Sequence, residues 1–168
     1  MWTDAAGESR WLAAVVLVDG VFHWSRWKCD DRLWALLLPR LDHNIGTQEM
    51  MAVILGVYTW LDTLRDAVLT VYVDNEGVRY SMISGTSRLP EVTLSVARLW
   101  HLVADVRIGL LVRRVESKAN LADGPTRENL RYLEMLHAIE CRPVLPEWVF
   151  DLWRYDGHAQ DLCVRAEV

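Results

Sequence analysis

The stretch Ala67-Val68-Leu69-Thr70-Val71-Tyr72-Val73-Asp74-Asn75 decides the fold class. From Ala67 to Val73 it is apolar on both alternating faces, broken only by Thr70. Such a run predicts a short, fully buried strand, the kind found inside a sheet with both faces covered. Asp74-Asn75 stops it with side chains that favour turns. Upstream, Trp11 to Val18 is an apolar β-branched run, Asp19-Gly20 is a two-residue turn signal, and Val21 to Trp24 continues as the partner strand of a hairpin. Trp2 to Ala6 reads as a preceding strand of the same meander. Between hairpin and buried strand, Ile45 to Leu61 is apolar nearly all round, with Asn44 placed to cap it, and a helix greasy on every side is a buried one. A shorter helix is expected over Asp31 to Leu38, ended by Pro39.

Downstream the spacing predicts a helical stretch near Glu76 to Ser84, a helix from Pro90 to Arg107, and a strand from Ile108 to Val115. Asn120 to Arg127 reads as a helix entry interrupted by Gly124-Pro125. Beyond it, Leu130, Leu133, Leu136 and Ile139 fall at helical spacing, and a second amphipathic piece opens at Pro146 with Trp148, Val149, Leu152 and Trp153. A meander followed by crossover helices implies an α/β protein with a mixed sheet and helices on its faces.

The chain has 168 residues, of which 52% are AVILMFWYC, enough to enclose a core without staples. That excludes disorder and a disulfide scaffold. Cys29, Cys141 and Cys163 lie far apart with no C-x-x-C pair, so reduced thiols in an intracellular setting, cytoplasm or nucleus, are expected. No apolar run reaches about 18 residues and no basic n-region opens the chain, so neither a membrane span nor a secretory signal is expected. The net charge is −5, which does not suggest bulk attraction to nucleic acid. Residues 75–127 are the exception, with eight Lys/Arg against five Asp/Glu, and could contact phosphates. The five histidines show no ligand spacing. Trp11, Trp24, Trp60 and Trp100 read as core, while Trp27, Trp34, Trp148 and Trp153 are candidates for exposure, where they could stack on bases or dock a partner.

Three carboxylates stand out. Glu49 is the only acid between His43 and Leu61, on the buried helix, where an unpaired charge is expensive and a positive partner is expected. Asp74 ends the buried strand, where open α/β sheets place ligands. Asp4 lies on the first strand beside small Ala5. A fourth acid, Asp123, sits near a helix start between Ala122 and Gly124. Singly, each has an ordinary role as turn former, dipole partner or cap. If the first strand neighbours the one ending at Asp74, all four can converge, and converging carboxylates cannot all ionise unless cations join them. Mg²⁺ or Mn²⁺ are the natural partners, and a pair of such ions is the arrangement used to cleave phosphodiesters.

Thr3-Asp4-Ala5-Ala6, Gln48-Glu49, Val71-Tyr72-Val73-Asp74-Asn75 and Asn120-Leu121-Ala122-Asp123-Gly124-Pro125-Thr126-Arg127 occur in an order that resembles the ribonuclease H domain of reverse-transcribing retroelements. The last motif, of the form N-x-A-D-x-P-[ST]-R, is especially similar to that of retrotransposon ribonucleases H. The resemblance covers residues 1–127 and implies a five-stranded mixed sheet flanked by helices; residues 128–168 have no counterpart in it and read, from their spacing, as a C-terminal helical extension. It further implies two Mg²⁺ ions (with Mn²⁺ an alternative) and hydrolysis of the RNA strand of an RNA/DNA hybrid. Asp4, Glu49, Asp74 and Asp123 match the metal-binding acids. Asn75 matches a position beside the hybrid's minor groove, where hydroxyl contacts distinguish RNA from DNA; Arg79, Asn120 and Arg127 are further candidates for substrate contact. An upstream reverse transcriptase domain of the same polyprotein is the implied partner.

The chain departs from that pattern in lacking a histidine between Glu116 and Ala122 and in having only Met1, Trp2 and Thr3 before its first Asp. Ala6, where DEDD-type 3′ exonucleases typically carry Glu, argues against that relative. The non-enzymatic alternative is a catalytically degenerate scaffold or nucleic-acid-binding module of a reverse transcriptase polyprotein. A third is an interaction domain acting through residues 128–168.

Overall fold

The computed structural model describes residues 1–31, 33, 34 and 45–153, with residues 152 and 153 described by their backbone alone. Three strands open the chain: β1 (Trp2–Ala6), β2 (Trp11–Val18) and β3 (Val21–Lys28). The turn between β2 and β3 has φ of 50° at Asp19 and 80° at Gly20. Two left-handed residues in succession match the twist of a hairpin, which is why an Asp-Gly pair works there. Helix α1 (Ile45–Thr59) follows, then a single turn, α2 (Leu61–Leu64), and strand β4 (Val68–Val73). Helices α3 (Glu76–Ser84) and α4 (Pro90–Asp105) lead to β5 (Gly109–Arg114). After a 3₁₀ turn at Ser117–Ala119 come α5 (Asp123–Thr126), α6 (Arg131–Met135), β6 (Ile139–Glu140) and α7 (Glu147–Trp153).

The strands form one mixed sheet in the order β5-β4-β1-β2-β3-β6. The β1–β2–β3 meander is antiparallel, while β4 runs parallel to both β1 and β5, and β6 parallel to β3. The fold is therefore α/β, with a six-stranded sheet rather than the expected five. The sixth strand comes from the tail. His23 pairs with Ile139 and Trp24 with Glu140, and the Cys141 amide donates to the Trp24 carbonyl at 2.7 Å. Ile139 thus belongs to a strand, not to the helix its spacing suggested, and residues 131–153 contribute two short helices and a sheet edge. Two residues are too few to carry a period of their own, and the edge of β3 supplies the unpaired groups that recruit them.

Helix α1 crosses β1 and β2, and Thr47 to Val57 are all buried. Gly56 makes the close approach possible: a Cβ there would lie 2.6 Å from Met1 Sδ and 3.0 Å from Ala14 Cβ. With α3, α4 and α7 it encloses the main core, which includes Leu12, Ile54, Leu55, Val71, Val73, Met82, Leu99 and Val149. On the opposite face α5 and α6 cover a smaller cluster of Ala13, Val15, Trp24, Ala122 and Leu133.

That cover stops short of β4 and β5. Strand β4 accordingly alternates, with Leu69, Val71 and Val73 buried and Val68 77% exposed, so it is half-buried where full burial was expected. Trp24 and Trp60 are core, as read from sequence. Trp11 is half-buried instead, and Trp100 lies at the surface with its indole donating to the Met82 carbonyl at 2.9 Å. Trp27, Trp34 and Trp148 reverse the other way and pack against the core. The Trp148 indole donates to Tyr58 Oη at 2.9 Å, and Trp27 meets Phe150 edge-on at 6.0 Å. The expected helix over Asp31–Leu38 falls mostly outside the described residues, as do the Asn44 cap, Cys163 and the Trp153 side chain. Among the described residues no helix is long and apolar enough to cross a membrane.

Candidate metal centre

Parallel pairing of β1 with β4 sets Trp2 opposite Tyr72, with the rings stacked at 5.2 Å. Two residues further along the same rows, Asp4 faces Asp74, because side chains at i and i+2 share a face. Asp74 lies just past the carboxyl end of β4, and Asp4 at the middle of the adjacent parallel strand β1. Helix α1 brings Glu49 to the same place. Carboxylate oxygens of Asp4, Glu49 and Asp74 all lie within 4.8 Å of one another.

Asp4 and Glu49 are only 5% and 4% exposed, and Asp74 is half-buried. Among the described residues, acids rather than the expected positive partner meet Glu49. Burial pushes its carboxyl up to about 9, the Asp4 and Asp74 charges add to the rise, and a hydrogen bond from the Ala5 backbone opposes it. Glu49 Oε2 is buried with no hydrogen-bond partner. Burial likewise raises Asp4, to about 6. Asp74 and Asp123 push it the same way, while the Thr126 hydroxyl pulls it down by donating to Asp4 Oδ2 at 2.5 Å.

These carboxylates are hard oxygen donors, one with an orphaned buried lone pair, and their charges are mutually repulsive at this range. That donor set suits a small divalent cation, and the three acids could hold a metal ion.

Asp123 stands outside the trio. Its Oδ1 accepts from Arg127 Nε at 2.6 Å, at the exposed rim, although its charge is felt at Asp4. Arg127 is therefore engaged with an acid and reaches solvent over most of its side chain. Asn75 caps α3, its Oδ1 accepting from the Val78 amide at 3.1 Å. Arg79, one turn on, is ion-paired with Glu76 at 2.8 Å. Asn120 is buried: its Nδ2 donates to the Thr3 carbonyl at 2.9 Å and its Oδ1 accepts from the Ala122 amide at 3.2 Å. It latches the α5 segment to β1 through both polar ends of its side chain.

Thr126 is the residue that sequence reasoning missed. Fully buried, it reaches Asp4 across 122 positions, and its hydroxyl also lies 3.0 Å from the Asp123 carbonyl. Its place in the N-x-A-D-x-P-[ST]-R stretch, three residues after an acid, was the available signal. Comparisons of the chain with protein-family models, with curated proteins and with solved structures return no match.

Proposed function

We propose that this chain is a divalent-metal-dependent endoribonuclease of the ribonuclease H type, hydrolysing the RNA strand of RNA/DNA hybrids with a pair of Mg²⁺ ions, or Mn²⁺ in their place. The observation that carries the reading is the convergence of Asp4, Glu49 and Asp74 within 4.8 Å, where the middle of β1 meets the carboxyl end of β4. Those acids arise from three separate stretches, in the order that the resemblance requires.

Asp4, Glu49 and Asp74 would hold the ions, with Asp123 at the rim as the fourth acid. Bound there, such ions supply an activated water and charge stabilisation for the leaving 3′ oxygen. The protein's own part is to fix the donors. Thr126 holds one oxygen of Asp4 in a single orientation, and the β1–β4 register keeps Asp4 and Asp74 on one row. Burial of Glu49 disfavours its charge in the absence of a cation, so the site gains most from an ion that restores it. Arg127, held at the rim by Asp123, is available to a phosphate. Asn75 keeps its Oδ1 on the cap and offers its amide N–H groups to a hybrid's minor groove.

The test is incubation of the full chain with end-labelled RNA/DNA hybrid, duplex DNA and single-stranded RNA, with and without Mg²⁺. Cleavage confined to the RNA of the hybrid, dependent on Mg²⁺ and lost in Asp74→Asn, is expected. Unchanged cleavage in that variant would falsify the assignment. Hybrid binding with no cleavage under any divalent cation would identify the degenerate scaffold instead.

A further inference from the structure

The row that carries Asp74 and Asp4 continues across the sheet. Asp4 pairs with Ala13 and Ala13 with Arg26, so Arg26 shares the face of Asp4 two strands away, roughly 10 Å at ordinary strand spacing. The next row on that face runs Ala6, Trp11, Lys28. The α5 segment bridges the interval. Thr126 reaches Asp4 on one side, and Arg26 Nη1 donates to the Pro125 carbonyl at 3.4 Å on the other.

Both cations sit over one ring. The Arg26 guanidinium carbon is 4.3 Å from the Trp11 centroid and Lys28 Nζ is 5.3 Å from it, with Trp24 5.7 Å from Arg26. Stacking on the ring orients these charges and neutralises neither. Among the described residues no carboxylate lies within ion-pairing distance of either, whereas nearby Arg10 pairs with Asp31 and Arg127 with Asp123. The acid at this corner, Glu128, uses Oε1 to accept from the Trp11 indole at 2.9 Å. Two like charges are thus held on one aromatic platform, half-buried at Arg26 and exposed at Lys28.

We infer that Arg26 and Lys28, propped on Trp11, form a strip that binds the phosphodiester backbone of a nucleic acid and sets its position relative to the acids at Asp4 and Asp74. The choice of ligand rests on the nuclease reading above. A guanidinium fork grips phosphate oxygens in two places and an ammonium adds a point charge, so the pair spans successive phosphates of one strand. The separation from Asp4 corresponds to about three nucleotides of helical rise. The strip reads backbone, not bases, and serves hybrid and DNA duplex alike.

Fluorescence anisotropy of a labelled hybrid, and of a DNA duplex of the same sequence, with the full chain in EDTA across a salt series tests this directly. Arg26→Gln combined with Lys28→Gln should lower the slope of log affinity against log salt by about two, equally for both probes. Glutamine keeps a donor for the Pro125 carbonyl. If the double variant melts well below the parent, Lys28→Gln alone, at an exposed position, should still lower the slope by about one. Glu128→Gln should tighten binding. An unshifted slope in Lys28→Gln, or no binding by the parent chain, overturns the strip. Cleavage is scored apart: a shifted slope without any Mg²⁺-dependent cleavage refutes the nuclease reading and leaves the strip standing, and cleavage with an unshifted slope does the reverse.

Discussion

The Thr126 hydroxyl donates to Asp4 Oδ2 at 2.5 Å inside the protein, joining the last motif of the chain to its first strand. This bond comes from a neutral donor to a carboxylate that feels the charges of Asp74 and Asp123, and with the more distant Arg127 it lowers the proton affinity that burial raises. It also ties α5 to the centre, so the loop that carries Asp123 and Arg127 is positioned by the same contact.

Thr126→Val keeps the shape and removes the donor. A buried hydrogen bond to a carboxylate contributes about 1.5–3 kcal/mol, so urea unfolding should show a loss of that order. The Asp4 carboxyl should titrate higher than in the parent, as followed by carboxyl-carbon NMR, and Thr126→Ser should restore both. A titration of Asp4 that does not move would show the bond to be inconsequential.

Stability in EDTA should fall as the solution becomes alkaline. Asp4 and Glu49 both have folded-state values above their ordinary ones, about 6 and about 9. The folded chain therefore binds protons that the unfolded chain has released. This contribution is fullest below about pH 4 and is lost as pH rises through 6 for Asp4 and towards 9 for Glu49. The loss is on the order of a few kcal/mol. Denaturation midpoints at pH 5, 7 and 9 measure it, Glu49→Gln should flatten the fall between 7 and 9, and Mg²⁺ should reverse it by favouring the ionised forms.

Gly124→Ala should detach the motif without touching an acid. A Cβ at this position would lie 2.6 Å from the Asn129 backbone carbonyl, a contact that only a backbone shift relieves. We expect a cost of about 1–3 kcal/mol and weaker Mg²⁺ binding by calorimetry. The parent's melting temperature and metal affinity in the variant would disprove the role assigned to this turn.

Ending the chain after Arg127 should expose the far side of the sheet. Leu133 is buried against the Trp24 cluster, Val149 is fully buried in the main core, and β6 covers the edge of β3. The truncated protein should bind a hydrophobic dye, elute as aggregate on size exclusion and melt lower. A monomeric, dye-negative product would mean that residues 128–168 are dispensable to the fold.

Local patterning is legible in the amino-acid order alone. The hairpin turn at Asp19-Gly20, the all-round apolar helix at Ile45–Thr59 and the strand ending at Asp74 follow from which side chains must avoid water and which backbone angles a turn needs. The acids at 4, 49 and 74 are legible as candidates for the same reason, because charge beside buried surface is conspicuous. What periodicity does not encode is register between distant segments. The parallel pairing of Trp2 with Tyr72 puts Asp4 beside Asp74, the α1 crossing adds Glu49, and Thr126 closes on Asp4 only once α5 is laid over Ala13. The two-residue strand at Ile139–Glu140 and the Arg26–Lys28 row are hidden likewise, since each takes its meaning from a neighbouring strand far away in the chain. Side-chain faces are set by the residues either side, whereas convergence is set by long-range packing, which only the folded chain determines.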